Sequence, residues 1–293
     1  MILVTGANGV VGAPLCERLS TEGRAFIRVS RKPLSNYKNS NATALTWNLD
    51  QAPDAHQSAQ LAEVTIIIHC APIWLLAQQL ESLKVTKLKR LIVFSSTSVI
   101  SKGTSSDSQE QALVSQLAQA ERAIADYSTQ QAWRLTILRP SMIYGYGRDQ
   151  NVAHIARFIR RYGVMFVVGK ASGKRQPVHC DDLVGASLAI MDSPLTVAKT
   201  YNLAGGDVFS YREMVKRIFH AMGKPPRIVS LPLWLFRFGL RLASAFTHFN
   251  YTPEMANRMN QDLDYDHSSA ISDFGYAPQG FLNNPQRDLA DPK

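Results

Sequence analysis

The segment that most restricts the fold of this chain is Thr5-Gly6-Ala7-Asn8-Gly9-Val10-Val11-Gly12. It follows the apolar run Ile2-Leu3-Val4 directly and leads into Leu15, Cys16 and Leu19 at helical spacing, with Gly23 as a stop. Strand, glycine-rich turn and helix, in that order, form the context in which three glycines hold the phosphates of a dinucleotide. Gly6 allows the tight turn, Gly9 lets backbone approach a pyrophosphate, and Gly12 lets helix and strand pack closely. The helix N-terminus then turns N–H groups and a positive dipole end toward the phosphates. Gly6, Asn8, Gly9, Val10, Val11 and Gly12 are therefore the first expected cofactor-binding residues.

Apolar strands and helical stretches alternate through the first half. The expected strands are 2–4, 25–29, 43–49, 64–70, 90–94 and 135–138; the expected helices between the later ones are 73–83 and 109–127. Such alternation means right-handed crossovers and a parallel sheet. Strands of that kind are buried on both faces, hence the unbroken run Val64-Thr65-Ile66-Ile67-Ile68. Beyond Pro140 the spacing changes to helices at 151–162, 181–191 and 210–222, separated by glycine-rich loops. The fold class is α/β: a Rossmann-type doubly wound parallel sheet with a small C-terminal α/β substrate lobe. The expected domains are 1–150 for the dinucleotide and 151–293 for substrate, with 174–206 able to complete part of the sheet. The last dozen residues read as frayed.

The end of the second strand bears on the ribose. A carboxylate there would suit the two ribose hydroxyls of NAD. This chain has Ser30-Arg31-Lys32 instead. Two cations suit a 2′-phosphate, so the reading favours NADP(H) over NAD(H), with Ser30, Arg31 and Lys32 at the site.

Together these motifs resemble the extended and atypical short-chain dehydrogenase/reductases, and among them the NAD-dependent epimerase/dehydratase family. Further segments carry the resemblance. Asn48-Leu49 stands where that family places residues against the adenine. His69-Cys70-Ala71, followed by Pro72, resembles its strand-four ending along the cofactor. Phe94-Ser95-Ser96-Thr97-Ser98-Val99 resembles its strand-five serine motif, and Leu138-Arg139-Pro140-Ser141 with Ile143-Tyr144-Gly145 its strand-six signature. The resemblance implies Asn48, Leu49, Ala71 and Pro72 as cofactor contacts and Ser96 as the active-site hydroxyl. It implies Arg175, in Arg175-Gln176-Pro177-Val178-His179, as a ligand for a substrate diphosphate, with Tyr144 facing the substrate.

One signature of the family is missing. Its members carry Tyr and Lys spaced YxxxK on one helix, where the Lys lowers the Tyr pKa for acid/base work. Aligned on Ala120-Glu121-Arg122, those positions are Leu113 and Leu117, and no Tyr or Lys occurs between Gly103 and Asp126. Lys102, six residues after Ser96, is the substitute candidate for a catalytic cation. Thr97 and Ser98 replace the acidic pair of dehydratase members, which argues against a sugar 4,6-dehydratase. The leading reading is an NAD(P)-dependent epimerase/reductase-like protein acting on a nucleotide- or lipid-linked sugar. The alternatives are a catalytically inactive NADP(H)-binding regulatory or assembly protein, and a reductase of apolar carbonyl substrates.

The remaining features restrict partners and compartment. Cys16, Cys70 and Cys180 are odd in number and never form CxxC, which suits reduced thiols in a cytoplasmic protein. The start Met1 to Gly6 lacks the basic and long apolar regions of a secretory leader, so none is expected. The net charge is +9, but the basic residues are scattered along the sequence and nucleic acid is not an expected partner. His179, Asp181 and Asp182 read as a structural turn, and no metal is expected. The run 231–242, Leu-Pro-Leu-Trp-Leu-Phe-Arg-Phe-Gly-Leu-Arg-Leu, reads first as core or lid packing, with peripheral membrane contact as its other reading. A small-molecule substrate is the expected partner, and a homodimer is compatible with the sequence.

Overall fold

A computed structural model of the protein describes residues 1–32, 41–103, 105, 107–235 and 253–290, with the backbone alone at 253–255. The first elements are β1 (Ile2–Thr5), α1 (Gly12–Thr21), β2 (Phe26–Ser30), β3 (Ala42–Thr46), α2 (Ala55–Leu61), β4 (Ile66–His69) and α3 (Ile73–Ala77). Next come β5 (Arg90–Phe94), α4 (Ser98–Ser101), α5 (Ser108–Gln130), β6 (Arg134–Pro140), β7 (Ile143–Tyr144), α6 (Val152–Tyr162) and β8 (Met165–Val168). Then follow β9 (Lys174–Arg175), β10 (Val178–His179), α7 (Cys180–Met191), β11 (Lys199–Leu203), β12 (Phe209–Ser210) and α8 (Tyr211–Ala221). The described chain ends with β13 (Ile228–Leu231), α9 (Pro253–Arg258), α10 (Ser268–Phe274) and α11 (Pro285–Asp288).

The chain forms two compact units. Unit 1 comprises Met1–Pro140, Cys180–Leu203 and Asp266–Ala277; unit 2 comprises Ser141–His179, Ala204–Tyr265 and Pro278–Lys293. Unit 1 holds a seven-stranded sheet in the order β3-β2-β1-β4-β5-β6-β11, and every pairing is parallel. Helices cover both faces: α1 packs on α7, and α3 packs on α5. That is the doubly wound architecture expected. Its strand order reverses between β1 and β4, where Thr5 lies beside His69, and such a reversal opens a crevice at the carboxyl ends of the strands.

The central strands are apolar because they are covered on both faces, whereas the edge strand β3 is largely exposed. All five residues of β5 are buried, and one core cluster runs from Leu3 and Ile27 through Ile67 and Leu91 to Ile137. Arg90 is one of the sheet's buried polar residues, with Arg28, His69 and Thr136. It is 2% exposed, and burial pushes its pKa down to about 10. Its guanidinium donates to the Arg134 and Ile190 carbonyls and to the Thr136 and Thr196 hydroxyls at 2.7–2.9 Å. One side chain thereby joins two neighbouring strands to the turn that introduces β11.

Unit 2 is built from short ladders and helices. β7 pairs with β10, β9 with β12 and β8 with β13, while α6 packs on α8. Its larger core gathers Tyr144, Val152, Ile159, Met214, Ile218 and Phe219.

Some local expectations need correction. The helix expected over 73–83 stops at Ala77, because Gln79 leaves the helical pattern: its amide bonds Leu76 O, and its side chain donates to Leu49 O at 3.0 Å. The strand expected over 43–49 ends at Thr46. The chain end is not frayed through residue 290, since α11 forms and Leu282, Asp288 and Leu289 are buried. Of the apolar run 231–242, residues 236–242 lie outside the described residues; Trp234 is exposed, not core.

Candidate dinucleotide-binding site

The loop after β1 explains its three glycines separately. Gly6 sits at φ +64°, and a Cβ there would fall 2.7 Å from Ala71 N, on the loop after β4. Gly9 donates its N–H to Gly6 O at 2.8 Å, and a Cβ on it would come within 3.1 Å of that oxygen. At Gly12 a Cβ would lie 2.2 Å from Gly6 O, so only glycine lets α1 start this close to the loop. Val11 is the N-cap of α1 and supplies no side-chain bond, and no acid occupies the first turn. The positive end of the helix therefore meets neither a capping side chain nor an acid in its own first turn, the arrangement that accepts a phosphate. Val11 is buried, Val10 half-buried, and Asn8 and Gly9 are exposed.

The loop is tied to the end of β2. Asn8 Nδ2 donates to Ser30 Oγ at 3.0 Å, and the Lys32 amide donates to the same oxygen at 3.3 Å. Arg31 and Lys32 are exposed, with no carboxylate at the strand end. Asn48 is half-buried and Leu49 is buried.

His69 is a positioning group that sequence reading missed. It is fully buried, and burial pushes its pKa down to about 4. Its Nε2 lies 3.1 Å from the Pro72 carbonyl, which can only accept, so the neutral ring donates there. Nδ1 then accepts the Thr5 hydroxyl at 2.8 Å. The ring thus fastens the end of β1 to the turn carrying Ala71, which is half-buried, and Pro72, which is exposed. A histidine ending an apolar strand was the available signal.

The residues implied for catalysis are engaged locally. Ser96 Oγ accepts the Ser98 amide at 3.1 Å and donates to Ser98 Oγ at 3.0 Å, at the start of α4. Lys102 Nζ lies 3.2 Å from Glu110 Oε1, both side chains largely buried. Leu117 is 5% exposed within the unit 1 core, with Ala120 and Ile124 on the same stripe of α5, and Leu113 packs against that core. One turn further along α5, the buried Glu121 accepts both Arg139, at Nε and Nη2, and Ser95 Oγ. This charge-assisted pair links α5 to β5 and β6.

Arg175 and Tyr144 belong to unit 2. Arg175 is 3% exposed, and burial lowers its pKa. Its Nη1 donates to the Lys174 and Gln261 carbonyls at 2.6 and 2.8 Å, and Nη2 donates to the Arg258 carbonyl. Its guanidinium stacks 5.3 Å from the Tyr211 ring. In this structure Arg175 holds the 258–261 backbone. Tyr144 is buried, and its hydroxyl accepts the Leu282 amide at 3.0 Å. His179 is likewise internal: it meets Asp288 Oδ1 at 3.0 Å, and Arg287 bonds the same oxygen.

A family description, NAD dependent epimerase/dehydratase, matches residues 2–79 and 75–204. The chain belongs to this family. Over 98% of its length this epimerase/dehydratase-family protein is 22% identical to a UDP-glucose 4-epimerase of Vibrio cholerae, covering 95% of that protein. It is 23% identical, over 87% of each chain, to a ceramide reductase of Caulobacter vibrioides (strain NA1000 / CB15N). The structure of UDP-glucuronic acid 4-epimerase from Bacillus cereus in complex with NAD aligns with a TM-score of 0.76 at 17% identity, covering 98% of this chain and 97% of that one. At that identity the likeness is one of fold.

Proposed function

We propose that this family member binds a nicotinamide dinucleotide on the 6–12 loop and takes a nucleotide- or lipid-linked sugar as ligand, without the Tyr–Lys proton relay of its family. The observation that carries the reading is the burial of Leu117, with Leu113 packed beside it, at the helix positions aligned with that pair. An aliphatic side chain cannot exchange a proton with a substrate hydroxyl or carbonyl, and that exchange contributes typically 10²–10⁴-fold to rate. A bound nicotinamide would supply hydride chemistry. The residues present fit a dinucleotide: a glycine loop that a Cβ would fill and an uncapped helix start. The role proposed is therefore that of a cofactor-loaded binding or regulatory protein.

The test is a fluorescence titration with NADPH and NADH, followed by addition of nucleotide-sugar and carbonyl compounds to the loaded protein. Binding with no oxidation of the bound cofactor is expected. Turnover within tenfold of that common for enzymes, a kcat of about 10 s⁻¹, would overturn the regulatory role. It would favour the second reading, an active epimerase or reductase using Ser96 and Lys102, which similarity along nearly the whole V. cholerae epimerase supports.

We propose further that NADP(H) is preferred, because Arg31 and Lys32 stand exposed after β2 and the adjoining sequence carries no acid at the strand end. Replacing both with alanine is expected to raise the Kd for NADPH about 10- to 100-fold, each charge-assisted bond contributing roughly 1.5–3 kcal/mol less screening losses. The Kd for NADH should change little. Equal effects on the two nucleotides would remove the 2′-phosphate assignment.

A further inference from the structure

The charge of the molecule is divided unequally between its units. Unit 1 contains 15 Lys and Arg against 15 Asp and Glu, whereas unit 2 contains 17 against 8, so unit 2 holds the whole excess of +9. The β8–β13 ladder of unit 2 and the residues flanking it combine this charge with exposed apolar side chains. In the parallel β8–β13 ladder Phe166 lies opposite Val229, and residues so paired share a face. Both are exposed, at 37% and 42%. Trp234, three residues past β13, is 69% exposed. Exposed cations precede both strands: Arg161 at the end of α6, four residues before β8, and Arg227 just before β13, whose carbonyl accepts the first amide of β8.

We infer that this face of unit 2 docks on a bilayer surface rich in anionic phospholipid, with Trp234 and Phe166 entering the headgroup boundary and Arg161 and Arg227 meeting phosphates. Charge complementarity selects the occupant. A cationic unit attached to a neutral one is oriented by an anionic plane, and a tryptophan beside apolar and basic residues suits the boundary between water and lipid. The sequence just beyond, Phe236-Arg237-Phe238-Gly239-Leu240-Arg241-Leu242, has the same mixed composition. The contact inferred is superficial; among the described residues no helix is long and apolar enough to cross a membrane.

The test is sedimentation of the full chain with vesicles of phosphatidylcholine alone or containing phosphatidylglycerol, at low and high salt. Binding is expected only with phosphatidylglycerol, weakening as salt rises, and accompanied by a blue shift of tryptophan emission. Trp234→Phe should abolish most of that shift. Trp234→Ser should lower partitioning about tenfold, and joint Arg161→Glu and Arg227→Glu substitution by about tenfold or more. These positions are exposed, and circular dichroism with NADPH titration verifies folding of each variant. No vesicle binding, equal binding to both vesicle types, or binding indifferent to all these substitutions would overturn the inference. So would a dimer without vesicle affinity that Trp234→Ser turns monomeric, since the face would then belong to a second copy.

Discussion

Gly12→Ala is expected to abolish measurable dinucleotide binding and to lower the unfolding free energy by about 3 kcal/mol, at the upper end for overpacking a close backbone contact. The added carbon would stand 2.2 Å from Gly6 O and 2.8 Å from Gly6 C, both backbone atoms that no rotamer change can clear. Relief requires α1 to move away from the loop, and its N-terminus then leaves the phosphate position. Gly185→Ala is the matching control. That glycine is exposed within α7, and a Cβ there meets nothing within 4 Å, so alanine should stabilise by about 0.5–1 kcal/mol through helix propensity. The readouts are urea unfolding and NADPH titration. Parent-like affinity in Gly12→Ala would show that the loop does not hold the pyrophosphate.

The second large effect is a loss of stability in mild acid. His69 has a folded-state pKa of about 4 against 6.5 for an ordinary histidine. Between those values the unfolded chain takes up a proton that the folded chain refuses. Stability contributed by the neutral ring is therefore complete above pH 6.5 and falls as pH drops toward 4, by about 3 kcal/mol over the window. His154 shifts in the same direction, through partial burial and the Arg157 charge. Asp288 acts lower, within and below the carboxylate range: burial opposes its charge, but the bonds and charges of His179 and Arg287 outweigh burial. In His69→Gln most of the slope between pH 6.5 and 4 should vanish. Its stability at pH 7 should fall by about 1–2 kcal/mol, as Thr5 or Pro72 loses its partner. Urea midpoints at pH 7, 5.5 and 4.5 decide the matter; an unchanged slope in the variant would mean that other groups take up the proton.

The sheet and the cofactor loop were legible because their causes are local. A strand buried on both faces must be mostly apolar, and a turn needing positive φ and backbone contact must contain glycine, so β1, β2, β4, β5, β6 and Gly6, Gly9 and Gly12 stand out unaided, whereas the edge strand β3 is largely exposed. Leu113 and Leu117 were legible as a missing pair for the same reason, being one helical turn apart.

Side-chain partnership was not legible, since it depends on residues far apart in sequence. Arg175 sits in a motif associated with anionic ligands, yet its donors meet carbonyls at Arg258 and Gln261. Tyr144 follows the strand-six signature, yet its hydroxyl bonds Leu282, 138 positions away. Arg90 and His69 look like single polar interruptions of apolar strands until Thr196 and Thr5 complete their bonds. Scattered basic residues became a cationic unit only when the chain crossed back into unit 1 at 180–203 and 266–277. By itself the sequence determined backbone geometry and apolar periodicity, which short-range sterics and burial impose residue by residue. Only the tertiary structure decided which polar group each buried charge meets, because desolvation demands a partner without specifying where in the sequence it lies.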